Sequence, residues 1–354
     1  MHKNRGLLAL AMASAVALPL FLAPQANADG PECNPGGAHC YGVVHYNEAQ
    51  PFSAAGEDLW TDCLHLDTPL SDFAVHVFWI QWNDGRWIET GYDRGVHAGH
   101  SDSNFRWFWG EYTGTTYYSH KVANAPLSTW INFSWYRQTS VANAGKWALF
   151  IDGTYRAMTS ATYDTATETD TGGETTEPLV YSNGNSKQMQ VRRASDSVWY
   201  TPLIDFTTET AGVYDAWHNG SSAMEQQSLQ NDCEETLAAK ASAAKAPTED
   251  DLLTFAQEMA KKNGGSAESV ELAAAKRRNA IKGVTDAEVN PDVHVLQVKG
   301  NFKGNTVSKP KDFKAPAGNV LTYVIDKATG EVTDWSLGKE EQDLKKFGSV
   351  KKLG

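Results

Sequence analysis

The chain has 354 residues, 31 Lys+Arg against 43 Asp+Glu, a formal net charge of −12 and 41% hydrophobic residues. That length leaves room for two domains. The acidic balance argues against nucleic acid as a partner, because polyanion binding needs clustered Lys and Arg. Charge and aromatics are uneven: residues 29–239 carry a net −17 and 11 of the 12 Trp, whereas residues 240–354 carry a net +3.

At the N-terminus Lys3 and Arg5 precede the mostly apolar residues 7–22 and the motif Ala26-Asn27-Ala28. This is the pattern of a secretory signal (1–28) cut before Asp29. Residue 29 is not Cys, which argues against a lipid anchor. No other apolar run approaches the ~20 residues needed to cross a bilayer. A secreted, extracellular protein free of the membrane is expected. Its four cysteines, Cys33, Cys40, Cys63 and Cys233, form an even count outside the cytosol and favour two disulfides. Of the three pairings, Cys33–Cys40 with Cys63–Cys233 is preferred. No C-x-x-C spacing supports a metal site.

The organising stretch is Trp87-Ile88-Glu89-Thr90-Gly91-Tyr92, which follows the turn Asn83-Asp84-Gly85-Arg86. Asp-Gly between β-rich runs signals a hairpin, because Gly accepts the positive φ such turns demand. Residues 73–82 and 87–93 read as its strands. Alternation puts Trp87, Glu89, Gly91 and Asp93 on one face and Ile88, Thr90 and Tyr92 on the other. Further runs at 104–112, 115–122, 130–138, 147–152, 187–193 and 198–206 read as strands. Residues 159–171, rich in Thr, Asp and Glu, read as an exposed loop. Many short strands without a long helix predict a mainly β domain, an antiparallel sandwich of the jelly-roll, concanavalin-like kind, over 29–235.

Residues 236–247 have the small-residue composition of a linker. Beyond them a small α+β domain is expected over 248–354. Thr248 and Asp251 form a capping box for a helix to about Lys262, with Leu252, Leu253, Phe255, Ala256 and Met259 as its apolar stripe. A second helix is expected over 267–282. Strands follow near 293–298, 320–325 and 331–335.

Common catalytic signatures (G-x-S-x-G, H-E-x-x-H, the P-loop and G-x-G-x-x-G after a strand) do not occur. No cofactor is expected. His76 inside a strand reads as structural. His97 and His100 read as loop residues, with weak metal binding as the other option. Carboxylates remain. Glu89 and Glu174 each lie close to glycine, which lets a substrate backbone approach. The bland alternative is an exposed strand Glu and a turn Glu. Glu111, aligned with Trp107 and Trp109, either supports the groove or points to solvent. Asp93 shares the Glu89 face.

Glu89-Thr90-Gly91-Tyr92 with the downstream Gly172-Gly173-Glu174 resembles the two-glutamate pattern of neprosin-type glutamic peptidases, with Thr90 and Tyr92 in place of the usual Ala and Trp. The run Trp107-Phe108-Trp109-Gly110-Glu111-Tyr112 is similar to the aromatic-Glu strand of eqolisin-type glutamic peptidases. The resemblance implies a lectin-like sandwich over about residues 40–235. It also implies an acid-acting endopeptidase with Glu89 and Glu174 as the catalytic pair and a polypeptide substrate. Trp87, Tyr92, Trp109, Glu111, Tyr112 and His120 would contact the substrate, Tyr112 as a hydrogen-bond donor to an oxyanion, and Trp79 or Trp82 would be an apolar wall. The alternative is a non-catalytic carbohydrate- or surface-binding sandwich, using exposed Trp and Tyr as stacking platforms. The segments 293–302 and 325–335, with Asp326-Lys327-Ala328-Thr329-Gly330-Glu331 as a hairpin turn, resemble a PepSY-type accessory domain, a likeness that implies either an in-chain regulator or a passive appendage. A monomer is expected.

Overall fold

The computed structural model describes residues 39–65, 73–95, 105–176, 181–210, 213–218, 223–228, 246–281 and 290–354. The signal segment, Cys33, Cys233, His97, His100 and the linker's residues 236–245 lie outside the described residues, and so do the expected disulfide pairings. In chain order the first strands are β1 (Cys40–His65), β2 (Phe73–Gln81), β3 (Trp87–Gly95), β4 (Arg106–Tyr112), β5 (Tyr117–Asn124), β6 (Ile131–Arg137) and β7 (Trp147–Ile151). Then come β8 (Thr154–Met158), β9 (Ala166–Thr175), β10 (Tyr181–Arg193), β11 (Trp199–Tyr200), β12 (Leu203–Glu209), β13 (Tyr214–His218) and β14 (Ala223–Ser228). The C-terminal elements are α1 (Glu249–Lys262), β15 (Ser269–Lys276), α2 (Arg277–Ala280), β16 (Asp292–Phe302), β17 (Gly318–Asp326), β18 (Val332–Gly338) and β19 (Lys351–Leu353).

The strands form an antiparallel β-sandwich, as the alternation in the sequence predicts. Strand β1 serves both sheets. Its first half lies between β12 and β9 in a front sheet ordered β12–β1–β9–β2–β3–β4–β5. Its second half lies between β10 and β6 in a back sheet ordered β13–β14–β10–β1–β6–β7–β8. Side chains alternate between faces along a strand, so Phe78, Ile88, Tyr92 and Trp109 of the front sheet meet Phe133, Trp135 and Trp147 of the back sheet in one core.

The opposite face of the front sheet is also covered. Tyr41, Val43, Val75, Val77, Trp79, Trp87, Phe108 and Tyr117 form a single apolar cluster with Leu252, Phe255, Met259, Leu296, Val307, Tyr323 and Trp335. The sheet itself continues into the C-terminal region, because β18 pairs with β5, and β17, β16, β15 and β19 follow in order. Helix α1 starts at the capping box expected of Thr248 and Asp251, and it buries Leu252, Phe255, Ala256, Met259 and Ala260.

Two sequence expectations are corrected. The polar stretch expected as a loop over 159–171 leads into β9, a buried strand between β1 and β2. Its threonines are β-branched and suit a strand, and Thr169 Oγ1 donates to the Trp79 carbonyl at 2.7 Å. The helix expected over 267–282 is strand β15 followed by the single turn α2. Pairing with β16 and β19 and the burial of Val270 and Leu272 at a period of two override the helix propensity of Ala273-Ala274-Ala275.

Candidate functional site

Glu89 on β3 and Glu174 on β9 both point from the front sheet toward the C-terminal region, and both are completely buried. Their position follows from register. Trp79 of β2 is the direct partner of Glu89, and Val75 of β2 and Tyr41 of β1 flank Glu174. Gly110 sits opposite Glu89 on β4, and a Cβ there would lie 2.3 Å from Glu89 Oε1. The missing side chain makes room for the carboxyl.

One hydroxyl joins the two acids. Ser308 Oγ is 2.8 Å from Oε2 of Glu89 and 2.8 Å from Oε2 of Glu174. Around Glu89, the Tyr117 hydroxyl donates to Oε1 at 2.6 Å and the Trp79 indole N–H donates to Oε2 at 2.8 Å. Around Glu174, the Tyr41 hydroxyl donates to Oε1 at 3.1 Å and the Lys309 backbone N–H donates to Oε2 at 3.1 Å. His39 Nδ1 makes a close contact with Oε1 of the same carboxylate, and Lys309 Nζ donates to the Tyr41 hydroxyl at 2.9 Å.

A serine hydroxyl has one hydrogen. It can donate to one of these carboxyls, and it must accept from the other, which therefore carries a proton. The electrostatics say which one. Burial pushes the Glu89 carboxyl up to about 8, against the hydrogen bonds it accepts from Tyr117 and Trp79 and with the nearby Glu174 charge adding to the rise. Glu89 is thus the protonated member and donates to Ser308 Oγ, whose own hydrogen goes to Glu174. Burial also pushes the Tyr41 and Tyr117 hydroxyls well up, with Glu174 and Glu89 respectively adding to the rise, so both stay donors.

The other residues singled out in the sequence divide by face. Trp87 lies on the Glu89 side, packed on Tyr112 (ring centroids 4.5 Å) and Tyr117. Tyr92, Trp109 and Glu111 face the sandwich interior and are corrected as groove residues. The Tyr92 ring packs on Phe133, and Trp109 stacks on His120. Glu111 accepts from Ser160 N and Oγ, Ala161 N and the Tyr163 hydroxyl at 2.7–2.9 Å, which pins the turn after β8. The Tyr112 hydroxyl donates to the Gly114 carbonyl at 3.0 Å instead of facing the glutamates. His120 lies at the β5–β18 joint, 3.0 Å from Asp334. Asp93 makes a paired contact with Arg106 at 3.1 and 2.8 Å. His76 is buried beside Thr61 and Gly184.

The glycines near the acids admit neighbouring strands. A Cβ at Gly91 would lie 2.2 Å from the His76 carbonyl oxygen, and one at Gly172 2.1 Å from that of Gly42. Sequence reading missed His39, Tyr41, Tyr117, Ser308 and Lys309. Tyr117 was within reach of it, since it shares the β5 face of Ser119, the partner of Gly110. His45, Glu168 and Asp170, on β1 and β9, place possible ligand atoms within 4.8 Å of one another. His45 and Asp170 also have protein partners, His45 Nε2 with Thr208 at 3.0 Å and Asp170 Oδ2 with Gln81 at 2.5 Å.

No protein-family model and no curated protein matches the sequence. Among solved structures, the chain is similar to Scytalido-glutamic peptidase bound to a peptide-based transition state analogue, with 10% identity over 54% of this chain and 98% of that one and a TM-score of 0.37. SCP-B, a member of the Eqolisin family of peptidases in complex with the tripeptide Ala-Ile-His, gives 10% identity, the same coverages and 0.36. Porphyranase B from Zobellia galactanivorans gives 9% identity over 52% of this chain and 65% of that one, with a TM-score of 0.21.

Proposed function

We propose that the protein is a secreted endopeptidase that works in acid through Glu89 and Glu174. The observation that carries this reading is the shared Ser308 hydroxyl, which marks a position within hydrogen-bond reach of both carboxyls. A water at that position would have a base on one side and an acid on the other. Glu174 takes the proton of the attacking water. Glu89, already protonated, polarises the scissile carbonyl and then protonates the leaving amine. Tyr117 and Trp79 hold Glu89 in place, and the Tyr41 hydroxyl holds Glu174. Two like charges this close do not both ionise cheaply, so activity fails once Glu89 loses its proton. Solvent entering an open cleft weakens the burial effect and moves Glu89 back toward the ordinary carboxyl range, which places the working range in acid.

The glycan-binding alternative has less to stand on. Trp79, Trp82, Trp87, Trp109, Trp135 and Trp147 are buried, while Trp199 and Trp217 are among the few large exposed aromatics of the described residues. The test is cleavage of an unfolded protein substrate at pH ~4, near the ordinary carboxyl pKa, by the wild type and by Glu89→Gln and Glu174→Gln. Each substitution is nearly isosteric and should abolish cleavage while the fold persists. Cleavage that survives both changes refutes the assignment.

A further inference from the structure

Between β16 and β17 the chain makes an excursion through residues 303–317, a Lys- and Pro-containing stretch that composition alone would place on the surface. Its middle is not on the surface. Val307 and Ser308 are fully buried. The excursion is held from behind by Asn263, the C-cap of α1, whose side-chain oxygen accepts from Thr306 Oγ1 at 3.0 Å and whose carbonyl accepts from Lys303 N at 2.6 Å.

In front, its polar groups are taken up by the glutamate site. His39 Nε2 is 3.2 Å from the Asn305 carbonyl oxygen. The Lys309 N–H donates to Glu174, and the Lys309 carbonyl oxygen lies 3.3 Å from the Tyr41 hydroxyl. Phe313 packs edge-on against Trp87 with centroids 5.7 Å apart. Beside it remains a cavity of about 580 Å³, with Trp82, Tyr112 and Glu168 on one side and Asp312 and Phe313 on the other. A stretch of backbone thus runs across the carboxyl pair with its amide and carbonyls bonded to the site, as a polypeptide substrate would. The atom that bonds both carboxyls is a side-chain oxygen, Ser308 Oγ, however, and not a peptide carbonyl. Ser308 Oγ stands where the hydrolytic water must stand, so a chain held this way is bound and not cut.

We propose that residues 304–313 are an intramolecular inhibitor, a built-in polypeptide occupant that closes the Glu89–Glu174 cleft until it is displaced. This rests on the peptidase reading of the same site. Displacement exposes both carboxyls and a cleft that takes an extended chain. Release by acid alone is opposed by the β5–β18 joint, where Asp334 binds Arg277 at 2.7 and 2.9 Å. The groups facing Asp334 there are Arg277, His120 and the Thr333 hydroxyl, all supplying hydrogen bonds or positive charge to the carboxylate.

Two full-chain variants test the proposal. In one, Val307→Asp with Ser308→Leu makes the segment incompatible with both the apolar cluster and the carboxyls. In the other, residues 303–317 are replaced by an Asn-Gly turn, which is feasible because Phe302 and Gly318 are already cross-strand partners. Circular dichroism checks each fold. The first readout does not depend on activity: coupling of Glu89 and Glu174 to an amine by a water-soluble carbodiimide, located by mass spectrometry. The second is cleavage of an unfolded protein at pH ~4. Rates scale with the fraction of molecules whose cleft is open, so labelling and cleavage should both rise by at least about tenfold. Glu89→Gln in the turn-replaced chain should abolish the cleavage, and a synthetic peptide of residues 304–316 should inhibit it. Equal labelling in wild type and variants overturns the proposal. Equal cleavage by the wild type and the variants overturns the inhibitor and leaves the peptidase standing. Increased labelling without cleavage by any form refutes the peptidase reading and the inhibitory role with it.

Discussion

Trp79 and Glu89 are cross-strand partners on β2 and β3, and the Trp79 indole N–H donates to Glu89 Oε2 at 2.8 Å. A donor to a carboxylate favours its ionised form. Trp79→Phe removes that donor, so the Glu89 pKa should move further up. If Glu89 is the acid that must stay protonated, the alkaline limb of the cleavage rate moves to higher pH. A pH–rate profile of the turn-replaced chain with and without Trp79→Phe checks this. A limb that stays put or moves down excludes Glu89 as the group behind it. The lost hydrogen bond costs about 1 kcal/mol of stability, and the smaller buried ring adds to that cost.

The same acid makes stability depend on pH, and Glu57 does so too. Burial pushes each carboxyl up to about 8, and Glu57 sits between the sheets, bonded to Thr171. Each group binds its proton more tightly folded than unfolded. The folded state therefore gains stability that is fully present below the ordinary carboxyl pKa near 4 and is lost as pH rises through about 8. In that window the slope approaches ~1.4 kcal/mol per pH unit for each group. Thermal unfolding should give a higher Tm at pH 5 than at pH 8.5, and Glu89→Gln and Glu57→Gln should each flatten the dependence. A Tm that climbs across this range would contradict both assignments.

The sandwich and the two acids were legible in the sequence for different reasons. Period-two patterning around the Asp84-Gly85 turn gives β2 and β3 and puts Glu89 on the face opposite Tyr92. The pairing of Glu89 with Glu174 came from the resemblance, because no local signal brings β3 and β9 onto one face. The glycines have a structural reason of their own: Gly91 and Gly172 make room for the carbonyls of His76 and Gly42. Strand β9 was hidden because its carboxylates are compensated at a distance, Asp170 by His45 and Gln81. Ser308 was invisible for a similar reason. It lies between the strands expected near 293–298 and 320–325, beside Lys309-Pro310-Lys311, and only tertiary packing makes it the hydroxyl shared by the two acids.

Gly110 offers a steric test. An alanine there would place Cβ 2.3 Å from Glu89 Oε1 and 2.9 Å from its Cγ. The Glu side chain can yield, so the fold should survive with a loss of about 1–3 kcal/mol, as for overpacking elsewhere. The carboxyl itself must leave its place beside Tyr117 and Ser308. Cleavage by the turn-replaced chain should fall by about a hundredfold, the scale expected for an ångström of misplacement. Retained cleavage in Gly110→Ala would mean that the Glu89 position is not critical.

Asp334 ties the C-terminal region to β5, and its titration runs opposite to that of Glu89. Burial raises its pKa, but the Arg277 charge and the hydrogen bonds from His120 and Arg277 outweigh that and hold the carboxyl well below its usual range. Such a group contributes stability that is present above the unfolded pKa near 4 and is lost only as pH falls through the depressed folded value. The joint therefore stays ionised at the acid pH where the glutamate pair would work. Asp334→Asn keeps the size and removes the charge, leaving Arg277 buried without its counter-ion, at a cost of about 3–5 kcal/mol. The Tm should drop sharply at pH 7 and remain low at pH 4, and carbodiimide labelling of Glu89 in the full chain should rise because the covering region is no longer anchored at β5. A variant with wild-type Tm and wild-type labelling would show that the closure over the glutamates is held elsewhere.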